Sequence, residues 1–122
     1  MNLIGIGVDM ERVERFRHFK NDSRDPFLQR TFTQAELKYC FGEAAPAEHL
    51  AGRFAAKEAV MKALADDIHG TVAYNEIEIK QNDKGAPVVA LLRSGLSAYD
   101  IQVSISHTSE AAVAVVVVMS NR

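Results

Sequence analysis

The run from Ala111 to Met119 is nine apolar residues long, five of them valine. Valine's branched Cβ favours extended backbone, and a strand that is apolar on both faces has to be covered on both. The run therefore belongs at the centre of a sheet or against another subunit. It is far short of the roughly 20 residues a membrane helix needs. Partners for it lie close by. Ile101 to Ser106 is strand-like and returns through Ser106-His107-Thr108-Ser109-Glu110. Tyr74 to Gln81 alternates through Ile77 and Ile79, Asn82-Asp83-Lys84-Gly85 reads as a turn, and Pro87 to Leu92 resumes as strand, which predicts a hairpin. Leu3 to Met10 completes the set, ending near Asp9. Gly5 and Gly7, at i and i+2, leave one face of that strand bare enough for another backbone or a ligand to approach.

Between these strands the period changes to that of helices. Glu11 to about Phe19 predicts a short helix, and Asn21 to Pro26 a turn with Pro26 at the first position of another. Thr33 with Glu36 forms a capping box for a helix through about Phe41, closed by Gly42. After Ala44-Ala45-Pro46 comes the main helix, Ala47 to Ala65, closed by Asp66-Asp67-Ile68-His69-Gly70. Helices first and strands later give an α+β fold: one domain over residues 1–122, a mainly antiparallel sheet, one long helix and several short ones.

Fourteen basic against sixteen acidic side chains exclude the strongly basic footprint of a nucleic-acid binder. The first residues lack a basic region and a long apolar stretch, so no signal peptide and no membrane partner are expected. The lone Cys40 cannot form an internal disulfide and reads as a structural helix residue, which points to a reducing compartment, the cytoplasm.

The main helix carries the most informative anomaly. On a wheel of about 100° per residue, Leu50, Phe54 and Met61 cluster, and Glu58 falls beside them next to Ala51 and Ala65. A carboxylate there needs a partner or a metal. The plain alternative is a surface Glu58–Lys62 pair at i,i+4, worth a few tenths of a kcal/mol. Asp9 is either an N-cap or, with Glu58, half of a magnesium site whose open positions take water and phosphate. Glu11, two residues on, points the same way on extended backbone and is a third possible ligand. Lys62 lies near enough to Glu58 to reach the same phosphate. Arg53 and Lys57 occupy another sector and read as a solvated face, or as contacts to a long or shared ligand. His107, between Ser106 and Thr108 in a turn, reads as incidental or as an anion donor. No nucleophile elbow, Walker loop or zinc-like spacing occurs, and Gly5-Ile6-Gly7 lacks the rest of a dinucleotide fingerprint.

Four segments, Gly5-Ile6-Gly7-Val8-Asp9, Phe54-Ala55-Ala56-Lys57-Glu58-Ala59 with Lys62-Ala63, Asp83-Lys84-Gly85-Ala86-Pro87, and Ser104-Ile105-Ser106-His107-Thr108, together resemble the 4'-phosphopantetheinyl transferase family of small holo-[acyl-carrier-protein] synthases. The resemblance spans nearly the whole chain, with Arg53 to Lys62 its most specific block. It implies transfer of phosphopantetheine from coenzyme A to a serine of an apo acyl carrier protein, magnesium dependence, release of 3',5'-ADP and a place in fatty acid biosynthesis. It assigns Asp9 and Glu58 to magnesium, Lys62 to the pyrophosphate, and Arg53, Lys57, Gly85, Ala86, Pro87, His107 and Thr108 to the coenzyme A site. It also implies a homotrimer with clefts between subunits, which would account for Arg53 and Lys57 pointing away from Glu58.

Two departures stand out. Where the family commonly has a Gly-Thr-Gly type turn, this chain has Ala65 to Gly70 with two aspartates, a loop expected to lie further from a pyrophosphate. Asp9-Met10-Glu11 instead resembles the Asp-x-Glu of the larger, two-lobed transferases, which supports Glu11 as a metal ligand. For the acidic carrier protein, Arg12, Arg15 and Phe19 at i, i+3 and i+7 predict a docking face on the first helix, with Arg24 nearby. Glu11, Glu14, Asp22 and Asp25 dilute that patch. Two other readings remain open at this point: a metal-dependent hydrolase of a pyrophosphate, and a catalytically silent trimer that binds a carrier protein.

Overall fold

A computed structural model describes residues 1–65, 67 and 72–121. Five strands and three helices follow in the order β1 (Asn2–Arg12), α1 (Pro26–Thr31), α2 (Gln34–Phe41), α3 (Pro46–Leu64), β2 (Ile77–Gln81), β3 (Pro87–Leu91), β4 (Tyr99–His107) and β5 (Ala111–Ser120). The valine-rich β5 is the centre of a three-stranded antiparallel sheet in the order β1-β5-β4, and β2 and β3 form a separate hairpin. The expected α+β fold and the central position of β5 are both observed.

The two faces of β5 have different fates. Ala112, Ala114, Val116 and Val118 turn inward and are buried against α3. The outer face aligns Ile6 with Val117, Val8 with Val115, and Met10 with Val113 across the β1–β5 ladder. It is apolar and exposed: Ile6 keeps 63%, Val8 54% and Met10 69% of its surface accessible.

α3 is built for close approach. Alanine is the best helix former, and Ala51, Ala55, Ala56, Ala59 and Ala63 make a helix that is narrow on nearly every side. Pro46 sits at its first position. Against it Gly5 and Gly7 lay the backbone of β1: a Cβ on Gly5 would lie 2.9 Å from the Ala63 carbonyl carbon, and one on Gly7 2.8 Å from that of Ala59. The bare strand face expected from the alternating glycines is filled by a helix backbone. A second cluster, with Val13, Phe16, Leu28, Phe32, Leu37, Leu50 and Phe54, seats the short helices on the first half of α3.

Local signals for α1 and α2 hold. Asp25 accepts from the amides of Phe27 and Leu28 ahead of Pro26, and Thr33 and Glu36 form the reciprocal capping box. The helix expected over Glu11 to Phe19 does not form. β1 runs on to Arg12, because Glu11 and Arg12 pair with Ala112 and Ala111 of β5 and the Val13 amide donates to the Glu110 carbonyl at 3.0 Å. Only a 3-10 turn, Val13–Phe16, follows. Tyr74 likewise opens a 3-10 turn, Tyr74–Glu76, ahead of β2. Of the Ala65 to Gly70 loop, Asp66, Ile68, His69 and Gly70 lie outside the described residues.

Candidate active site

Register along β1 decides what meets α3. Residues 5, 7, 9 and 11 share a face, so the side after the two glycines presents Asp9 and Glu11 to the helix flank carrying Glu58 and Lys62. Lys62 Nζ lies 3.2 Å from Asp9 Oδ1 and donates to the Val8 carbonyl at 3.0 Å. The second Asp9 oxygen, Oδ2, is buried with no hydrogen-bond partner. Glu11 is pushed up to about 7, first by burial and then by the neighbouring Asp9 carboxylate, against the pull of Arg15. Arg15 Nη1 donates to Glu11 Oε1 at 2.9 Å. Glu58 is held from a third direction: the Tyr74 hydroxyl donates to its Oε1 at 2.6 Å. That bond, ahead of burial, pushes the Tyr74 phenol up to about 12.

Each carboxylate thus takes its own donor: Lys62 for Asp9, Arg15 for Glu11 and Tyr74 for Glu58. Among the described residues, no three His, Cys, Asp or Glu side chains converge into a group that could hold a metal ion. The oxygen chemistry nevertheless suits a hard divalent cation. An orphaned buried Asp9 oxygen beside a second carboxyl held close to neutral is the arrangement such an ion stabilises.

A second group of residues lines a cleft of about 180 Å³ between α3, the β2–β3 turn and the end of β4. Arg53, Gly85, Pro87 and His107 meet there, joined by Tyr39, His49, Gln81 and Ile105. The Arg53 guanidinium lies 4.1 Å from the Tyr39 ring centre, and its buried Nε has no partner. His107 Nδ1 is 3.0 Å from Glu48 Oε1, and its ring meets that of His49 edge-on at 5.4 Å. Burial, reinforced by the charges of His107 and Arg53, lowers the pKa of His49. Gly85, at φ +83°, closes the β2–β3 turn, where Asn82 Oδ1 accepts from the Ala86 amide. Thr108 caps the β4–β5 turn, its hydroxyl accepting from the amides of Glu110 and Ala111.

Lys57 is a correction. Neither a solvated residue nor a lining residue of the cleft, it is 0% exposed and paired at 2.8 Å with Glu36, which is equally buried. It also donates to the carbonyls of Tyr74, at 2.8 Å, and Ile77. With its three donors engaged inside the core, it has none to offer a ligand. Arg53, expected either on a solvated face or at a ligand, is 6% exposed. The docking face is corrected as well: without the helix, Arg12, Arg15 and Phe19 share no helical side. Arg15 instead lies 4.8 Å from the Phe54 ring, Phe19 stacks on Phe27, and Arg24 folds onto Asp22.

Tyr39, Glu48, His49 and Tyr74 were not singled out by the sequence. Tyr39 and Tyr74 reach their places by packing between distant elements, which leaves no local pattern. His49 sits one turn before Arg53 on α3, a spacing that places the two side by side.

A model of the 4'-phosphopantetheinyl transferase superfamily matches residues 5–116. The holo-[acyl-carrier-protein] synthase of Chlorobium limicola is 41% identical over 115 residues, covering 93% of this chain and 91% of the relative. That of Chlamydia trachomatis serovar L2 is 39% identical over 118 residues, covering 94% and 98%. Among solved structures, the Bacillus anthracis holo-(acyl-carrier-protein) synthase in complex with CoA (3',5'-ADP) superposes with a TM-score of 0.81 at 33% identity, covering 99% of this chain and all of the other. The Helicobacter pylori enzyme in complex with coenzyme A gives 0.77 at 31% identity over 93% of this chain and 99% of its own.

Proposed function

The chain belongs to the 4'-phosphopantetheinyl transferase superfamily, and from there we propose that it transfers 4'-phosphopantetheine from coenzyme A to a serine hydroxyl of an apo acyl carrier protein, the activity of a holo-[acyl-carrier-protein] synthase. The serine oxygen forms a bond to the phosphorus that carries the pantetheine arm. The pyrophosphate P–O bond breaks, 3',5'-ADP leaves, and the serine proton passes to a carboxylate of the Asp9, Glu11 and Glu58 group. The observation that carries this reading is the unpartnered, buried Oδ2 of Asp9, on a carboxylate whose other oxygen meets Lys62.

Phosphoryl transfer is chiefly a matter of positioning and charge neutralisation. Asp9 and Glu58, with Glu11 as a third ligand, would hold a magnesium ion, which would supply neutralisation of charge on the phosphate. Lys62 adds a positive charge beside the leaving phosphate. Arg53, with its free Nε–H, and His107 line a cleft suited to an anionic nucleotide, and the Gly85 to Pro87 turn forms its opposite wall. Thr108 adjoins it. The apolar outer face of β1 and β5 supports a homotrimer with shared clefts. The lone, buried Cys40 is compatible with a reducing compartment, the cytoplasm, where fatty acid biosynthesis would use the product. Among the described residues no helix is long and apolar enough to cross a membrane.

Intact mass spectrometry tests the proposal. Incubated with coenzyme A, magnesium and apo acyl carrier protein, the wild-type enzyme makes the carrier heavier by one phosphopantetheine. Asp9→Ala and Glu58→Ala fold and leave its mass unchanged. Free phosphopantetheine without a modified carrier would establish hydrolysis instead, and full activity in either variant would remove the site assignment.

A further inference from the structure

Tyr74 is fixed from three sides before its hydroxyl reaches Glu58. Its carbonyl accepts from the fully buried Lys57 at 2.8 Å. Its 3-10 turn is closed by Glu76, whose carboxylate accepts from the Ala73 amide at 2.9 Å and from Arg93 Nη2 at 2.8 Å and Nε at 3.1 Å. Its ring stacks on Phe54 with centroids 5.3 Å apart and planes 22° from parallel. Backbone and ring are therefore both anchored, and the 2.6 Å bond to Glu58 Oε1 is aimed by the fold.

A glutamate's terminal torsion is soft, so a carboxylate left to itself samples many orientations. A donor on one oxygen removes that freedom and leaves the other as the available ligand atom. Hydrogen bonds of this kind to metal-ligating carboxylates set their orientation and affinity.

We infer that Tyr74 is a positioning residue for the cation site: its hydroxyl holds Glu58 by Oε1, which would leave Oε2 as the ligand atom for a divalent ion, with Lys57 and Glu36 as the buried footing that fixes the Tyr74 backbone. The inference rests on the assignment of Glu58 to the metal. It gives the Lys57–Glu36 pair an indirect tie to the site that the pair itself does not touch.

Manganese, another oxygen-seeking divalent ion, serves as the probe, its free concentration counted by electron paramagnetic resonance in titrations of the full-length wild type, Tyr74→Phe and Glu58→Gln. Tyr74→Phe keeps the ring on Phe54 and the Lys57 bond to the carbonyl, so it stays folded with cooperative thermal unfolding. Its manganese dissociation constant rises about 10-fold. In transfer assays the magnesium concentration for half-maximal rate rises by a similar factor while KM for coenzyme A holds. Unchanged manganese affinity in Tyr74→Phe alongside weakened binding in Glu58→Gln overturns the role of Tyr74 alone. Unchanged binding in Glu58→Gln overturns the metal assignment beneath it as well.

Discussion

Lys57 and Lys62 are five residues apart on one helix, and their surroundings could hardly differ more. Lys57 has no exposed surface, and burial lowers its pKa against the raising influence of the Glu36 charge. Lys62 keeps 54% of its side chain exposed beside Asp9. Breaking a buried pair leaves the partner's charge uncompensated, whereas losing an exposed one costs little. Lys57→Met is therefore expected to destabilise the fold by about 3 to 5 kcal/mol in urea denaturation. Lys62→Met, which leaves the largely buried Asp9 carboxylate without its cation, is expected to cost less, about 1 to 2 kcal/mol, and to lose transfer. Similar stability losses for the two would contradict the buried pairing. Both lysines stand in the Arg53 to Lys62 block, and the helical wheel separates them by sector. What it does not give is the cover: Glu36 comes from α2 and the Tyr74 and Ile77 carbonyls from beyond α3, contacts with no local signature. Asp9 and Lys62 were legible because strand parity and helical spacing are local, and their observed meeting depends only on β1 lying along α3.

At the scale of elements, the contact between β1 and α3 sets the site. At Gly7 an added methyl would meet the Ala59 carbonyl, which is main chain and cannot rotate away. Gly7→Ala is expected to cost about 3 kcal/mol or more in urea denaturation and to abolish transfer by displacing Asp9. Gly42→Ala is the contrast: φ there is −83° and the nearest atom to a new Cβ is 3.2 Å away, so a change within about 1 kcal/mol is expected. A milder effect at position 7 than at 42 would refute this account of the packing. The glycine alternation made a bare face readable, though not its occupant. The helix expected after Asp9 failed for a related reason. Arg12, Arg15 and Phe19 have helical spacing, but β5 is long enough to pair with Glu11 and Arg12, and ladder bonds outweigh a weak local preference. Capping at Thr33 and Asp25, by contrast, is satisfied within four residues, and α1 and α2 begin where those residues indicate.

Among the described residues, the outer face of the β1–β5 pair is broadly apolar and uncovered. Ile6, Val8 and Met10 on β1 and Val115 on β5 line it, while β4 contributes Gln102, Ser104 and Ser106 opposite the outward valines. Adjacent exposed apolar side chains on two paired strands are the mark of an association surface. Sedimentation is expected to show the wild type as a trimer, and Val8→Glu as a monomer that has lost transfer together with the shared clefts. A wild type that sediments as a monomer would remove the shared cleft from the proposal. Seen at this scale, the two sides of β1 have unequal tolerance. Outside, side chains touch; inside, at Gly5 and Gly7, main chain rests directly on main chain. The height of Asp9 above the helix is thus gauged by two polypeptide backbones, with no intervening atoms to swell or shrink, so that sequence drift among the surrounding valines and alanines can wear at heat tolerance long before it shifts the reaction centre.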